Sequence, residues 1–100
     1  MPQELVAYRA DSAHPRDIVD VALSVLLKVD INAFVDLKEK YLEHGLKQAI
    51  RKHDHVFWHD TGLSMWEEIR TIINSRIEAE YYFGQHEEDP AVVGIFKIGS

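Results

Sequence analysis

The chain predicts a mainly α domain, a compact bundle of three helices, or four if Gly45 breaks the second, with a minor β ribbon from its two ends. Three observations carry this. A heavily apolar segment from Pro15 to Val29 has one narrow polar stripe. A long amphipathic segment follows, and a third apolar run repeats every three or four residues. The 100 residues fit one domain, 1–100, and 46 % are hydrophobic, ordinary for a folded chain and too many for a disordered one.

The first helix starts at Pro15, which suits a first turn, with Ser12 or His14 as its cap and Asp17 near its positive end. Asp17, Asp20, Ser24 and Lys28 fall on one stripe at 100° per residue. Ile18, Val19, Val21, Ala22, Leu23, Val25, Leu26, Leu27 and Val29 cover the rest of the girth. A helix so apolar is surrounded by protein, so residues 15–29 form the expected central helix.

The second helix is expected over Ile31–Lys52, capped by Asp30 or Asn32. Its predicted buried stripe is Ile31, Val35, Leu42, Leu46, Ala49 and Ile50, with Phe34 and Tyr41 on one flank. Gly45 weakens its middle by about 1 kcal/mol relative to alanine.

The third helix is expected to begin at Ser64, because Ser64 and Glu67 match a reciprocal capping box. Trp66, Ile69, Ile73, Ile77 and Tyr81 share its apolar face, and Gly84 reads as a left-handed stop. The end segments Gln3–Arg9 and Val92–Ile98 suit strands that pair with one another, with His55–His59 as a third. An alternative sends the C-terminal tail across to another subunit.

Function is less legible. Without cysteine there is no disulfide, thiolate metal site or cysteine nucleophile. The start Met-Pro-Gln-Glu-Leu-Val has no charged region followed by an apolar one, as a secretory signal would. Asp20, Ser24 and Lys28 interrupt the longest apolar stretch, short of the roughly 20 residues of a bilayer span. A cytoplasmic protein without membrane contact is expected. The net charge of −6 disfavours nucleic acid. Charge is uneven: Lys38–Lys52 holds five Lys or Arg against two acids, and Glu67–Asp89 holds seven acids against two Arg.

Three histidines, His53, His55 and His59, lie close in sequence. With Asp54, Asp60 or Glu67 they have the chemistry of a transition-metal site such as zinc, though not the spacing of a known metal motif. A solvated interhelical loop is the plainer reading, and no cofactor is expected. Lys40, His44, Lys47 and Arg51 would line the outward face of the second helix, toward an anionic partner or simply toward water. Arg76 and Glu80, four apart near the apolar sector of the third helix, suit a partner contact or a charge reaching the helix edge. Trp58, Trp66, Tyr81, Tyr82 and Phe83 cluster around the third helix and suit core anchors, or else the lining of a ligand pocket. Tyr82 points away from Tyr81 on a helix, and Tyr82 and Phe96 are aromatic contact candidates. The serines have no nucleophile elbow around them, and the glycines form no phosphate loop.

The leading expectation is a small non-catalytic protein-protein interaction or regulatory module, self-associating as a homodimer or bound to a protein partner. Its interface candidates are Arg76, Glu80, Tyr82, Phe96, Lys40, Lys47 and Arg51. The alternatives are a histidine-based metal-binding protein or small metal-dependent hydrolase, and an acidic inhibitor of a basic partner.

Overall fold

The structure is a computed structural model that describes residues 3–52 and 54–98, with side chains from residue 10 onward. In chain order the elements are β1 (Gln3–Asp11), α1 (Pro15–Val29), α2 (Ile31–Leu42), α3 (Leu46–Lys52), a short α4 (His55–Phe57), a π-helical turn (Trp58–Gly62), α5 (Leu63–Arg76), β2 (Tyr81–Gln85) and β3 (Val92–Ile98). The mainly helical fold with a small β element is as the sequence predicts.

α1 is the central helix. Val19, Ala22, Val25 and Leu26 are wholly buried, and the helix touches α2, α5, the π turn, β1 and β3. Its cap is His14, whose Nδ1 accepts from the Arg16 N–H at 3.1 Å. At the other end Asp30 leaves the helix and at once caps α2, its carboxylate accepting from the Ala33 N–H at 3.0 Å.

The expected second helix is two helices. Gly45 takes φ +77°, a left-handed value that costs an L side chain about 1–2 kcal/mol. The chain therefore turns there, and α3 leaves in a new direction. Its predicted buried stripe is inverted on α2. Leu37 and Tyr41 face the core, while Ile31, Val35 and Leu42 are 60, 45 and 47 % exposed. Both sets repeat at helical spacing, and the core takes the one carrying the larger Tyr41 ring. On α3, Leu46 and Ala49 are buried as expected. Two of its last-turn carbonyls are satisfied by distant side chains: Arg16 Nε donates to Ile50 O at 2.7 Å and Trp58 Nε1 to Ala49 O at 3.2 Å.

The third helix begins earlier and ends earlier than predicted. Asp54, not Ser64, is the cap, accepting from the Phe57 N–H at 3.0 Å. The helix then runs through the π turn into α5, so Ser64 is an exposed residue inside it. The π turn lets the buried Trp58 ring lie against Gly62, where a Cβ would collide with the indole. His55–His59 is thus helical rather than a strand. α5 ends at Arg76, and Ile77 is already extended. The aromatic run Tyr81-Tyr82-Phe83 suits a strand and overrides the helical periodicity. Gly84 is therefore a strand residue beneath the Tyr82 ring rather than a helix stop.

The sheet is antiparallel in the order β1-β3-β2. β2 and β3 pair in unbroken register from Tyr81↔Lys97 to Gln85↔Val93. β1 pairs β3 from Gln3↔Ile98 to Asp11↔Val92, with register shifts between Leu5 and Ala7 and between Ala7 and Ala10. The expected ribbon of the two ends is present, and β2 is its third strand. β3 is central, so the C-terminal segment packs within its own chain, with Val93 and Phe96 wholly buried.

Candidate functional site

The sequence-predicted contact residues are dispersed over the surface. Arg76, at the end of α5, donates from Nε to the Asp30 carboxylate at 2.9 Å and so ties α5 to the α1–α2 corner. Glu80 lies beyond the helix in the turn before β2, exposed, with its carbonyl accepting from the Ile98 N–H at 2.9 Å. The two therefore do not share a helix face. Phe96 is fully buried, with the His86 ring edge-on at 5.5 Å, and is not available as an exposed contact. Lys40 meets Glu68 across the α2–α5 seam at 2.8 Å. Lys47 and Arg51 lie on α3, so the Gly45 turn divides the predicted cationic stripe into two.

His53 lies outside the described residues. His55 is exposed at the start of α4, its ring 6.4 Å from that of His14. His59 is exposed in the π turn and paired with Asp60 at 3.0 Å. Among the described residues no group of three or more histidines, aspartates or glutamates is placed to hold a metal ion. Asp54, a predicted fourth ligand, spends its carboxylate on the α4 cap.

Several clefts among the described residues are lined by side chains of mixed chemistry. One is a polar cavity of about 300 Å³ between α5 and the β2–β3 hairpin. Arg70 is its organiser. One guanidinium nitrogen donates to Tyr82 Oη at 3.0 Å, another pairs with Glu67, and Nε is buried without an acceptor among the described residues. The Glu67 hydrogen bond raises the Arg70 pKa; partial burial opposes it, and the Tyr82 contact reinforces it. His86 Nδ1 accepts from the Glu88 N–H at 3.1 Å, which fixes the hairpin loop. The polar groups here hold one another, which makes this corner a latch between helix and sheet. Elsewhere the Ser24, Thr71 and Ser75 hydroxyls donate to helix carbonyls.

Another is an apolar groove of about 250 Å³ where α1, α2 and α3 meet. Leu23 and Leu27 of α1, Phe34 of α2, and Leu46 and Ile50 of α3 line it, with Lys38 and Lys47 beside them. It is continuous with the outward face of α2, because Ile31, Val35, Lys38 and Leu42 are spaced i, i+4, i+7 and i+11. Sequence reasoning did not find this groove. The available signal was that α2 carries two apolar stripes, one more than a single core contact uses.

At the α2–α5 seam, the Tyr41 hydroxyl donates to Glu68 at 2.7 Å. Burial, and then the Glu68 hydrogen bond and charge, push the Tyr41 pKa up to about 12. Burial works against the Glu68 carboxylate, but hydrogen bonds from Lys40 and Tyr41 and the Lys40 charge outweigh it and hold its pKa below the usual value. These contacts tie α2 to α5.

No helix of the described residues is long and apolar enough to cross a membrane. Compared with protein-family models, curated proteins and solved structures, the chain matches none.

Proposed function

We infer that the protein is a small non-catalytic interaction module that binds another protein through the outward face of α2. The observation that supports this is the exposure of Ile31, Val35 and Leu42 at 60, 45 and 47 % while Leu37 and Tyr41 fill the core side of the same helix. Scattered exposed leucines are ordinary, but three aligned on one helix face beside an apolar groove form a contact surface. The buried tail removes one reason for self-association, since β3 needs no second copy to cover Phe96. A hetero-partner is thereby favoured over a homodimer.

The test is site-specific photocrosslinking from position 35, with position 71 on α5 as the exposed control, combined with sedimentation of the purified chain at two concentrations. A partner adduct at 35 and none at 71, with monomeric sedimentation, is expected. Equal adducts at both positions overturn the reading. Adducts of the chain with itself at 35 move it to a homodimer.

A further inference from the structure

The groove between α1, α2 and α3 carries chemistry more specific than an apolar face. Its floor is Leu23, Leu27, Phe34, Leu46 and Ile50, and its cations come from different helices, Lys38 from α2 and Lys47 from α3. Lys38 Nζ stands 5.2 Å above the Phe34 ring, a cation–π contact that holds the ammonium over the apolar floor. Neither Lys38 nor Lys47 has a carboxylate partner among the described residues. Arg51 and Lys52, exposed like Lys47, extend the positive charge along α3. On a chain of net charge −6, this is a local reversal of sign beside exposed apolar surface.

We propose that this groove seats an acidic amphipathic helix of a partner protein, its leucine-type side chains entering between α1 and α3 and its carboxylates meeting Lys38 and Lys47. Charge complementarity selects the acid. The extent of the surface selects a helix over a small anionic amphiphile. An amphiphile fills the groove but leaves Ile31, Val35 and Leu42 bare, whereas α2, 12 residues long, offers a track of about 18 Å that matches three or more turns of a helix laid along it. Lys38 is half-buried and Lys47 exposed, so a partner's carboxylates would meet the two ammonium groups at the rim and contribute to orientation and association rate as well as to affinity. The proposal rests on the protein-binding reading above and adds the chemistry of the partner.

The test titrates the isotope-labelled full chain, followed by amide NMR, with a synthetic amphipathic peptide of about 18 residues, leucine on one face and glutamate on the other, long enough for partial helicity. A twin peptide carries lysine in place of glutamate. The acidic peptide is expected to shift amides of Leu27, Phe34, Lys38, Leu46, Lys47 and Ile50, and to bind at least about tenfold more tightly than its twin at low salt, with the gap closing as salt rises. The double variant Lys38→Glu, Lys47→Glu should reverse the preference, and its unchanged amide dispersion would show that it folds. Equal binding of both peptides, shifts centred elsewhere, or no binding overturns the proposal. Shifts of the same amides on concentrating the chain alone also overturn it, in favour of a second copy. A surviving crosslink from position 35 in any of these cases leaves the protein-binding reading standing without its acidic partner. Loss of both removes the two together.

Discussion

The Asn74 side chain of α5 hydrogen-bonds both backbone groups of Phe83, donating to its carbonyl at 2.8 Å and accepting from its N–H at 2.8 Å. β2 is an edge strand, and the pairing with β3 turns the backbone of Phe83 outward. The amide of Asn74 thus stands where the next strand would be and closes that part of the edge.

Asn74→Ala is expected to lower stability by about 1–3 kcal/mol, because two backbone groups at a buried residue lose their partners. Urea denaturation measures this. Asn74→Asp keeps the acceptor but turns a carboxylate oxygen toward the Phe83 carbonyl, so it too should lower stability, more at neutral than at acid pH.

The two glycines of the helical layer are constrained for different reasons, and two variants separate them. Gly62→Ala places a methyl group against the Trp58 ring, so a loss of about 1–3 kcal/mol and altered Trp fluorescence are expected. Gly45→Ala meets open space and is opposed only by its positive φ, so a loss of about 1–2 kcal/mol with unchanged fluorescence is expected.

Of the four tyrosines, Tyr41 should ionise late in an alkaline titration of tyrosinate absorbance, near 12. Its folded pKa lies above the ordinary value of 10, so its contribution to stability is complete below 10 and fades as pH rises toward 12. Glu68 acts at the other end. Its folded pKa is lowered, so its contribution is present above the ordinary carboxylate range and is lost as pH falls through the folded value. Tyr41→Phe should abolish the late alkaline step and shrink the Glu68 part of the acid limb, leaving the part that Lys40 supports.

Asp30 serves α2 and Arg76 at once. The Ala33 N–H, then the Arg76 guanidinium, hold its carboxyl below the ordinary value against the opposing effect of burial. Its contribution is therefore present above the ordinary carboxylate pKa and lost as pH falls through the lowered one. Asp30→Asn retains a capping oxygen and loses the charge. It is expected to flatten the acid limb of a Tm-against-pH curve and to lower Tm by a few degrees at neutral pH. An unchanged acid limb would place the pH dependence elsewhere.

Much of the architecture was legible because it follows from local pattern. The start of α1 at Pro15, its central place and the pairing of the two end segments need only capping chemistry, girth and alternation. Three features were set by specific contacts rather than by the pattern of apolar residues. Ile31, Val35 and Leu42 and the set around Leu37 and Tyr41 both repeat at helical spacing, and the packing of Leu37 and Tyr41 into the shared core, with Tyr41 bonded to Glu68, goes with the second set turning inward. The capping box at Ser64 is sound locally, but Asp54 starts the helix earlier and the packing of Trp58 on Gly62 carries it through the π turn. Ile77 and Tyr81 continue the apolar period of α5, yet Asn74 draws the aromatic run into the sheet. The groove escaped sequence reasoning because its walls come from three helices, and their meeting is fixed by Arg16 and Trp58 reaching the end of α3.

The central position of β3 has a consequence for biosynthesis. β1 is made early but has no strand to join until residues from near the far end of the described chain have been translated, since Gln3 pairs with Ile98. β2 also lacks a strand partner until then, because within the sheet it neighbours β3 alone, although Asn74 of α5 can already hold Phe83. On the ribosome, α1, α2 and α3 can therefore assemble while β1 is still an unpaired extended segment. Closure of the sheet is a late step whose rate is set by joining distant parts of the chain rather than by helix formation.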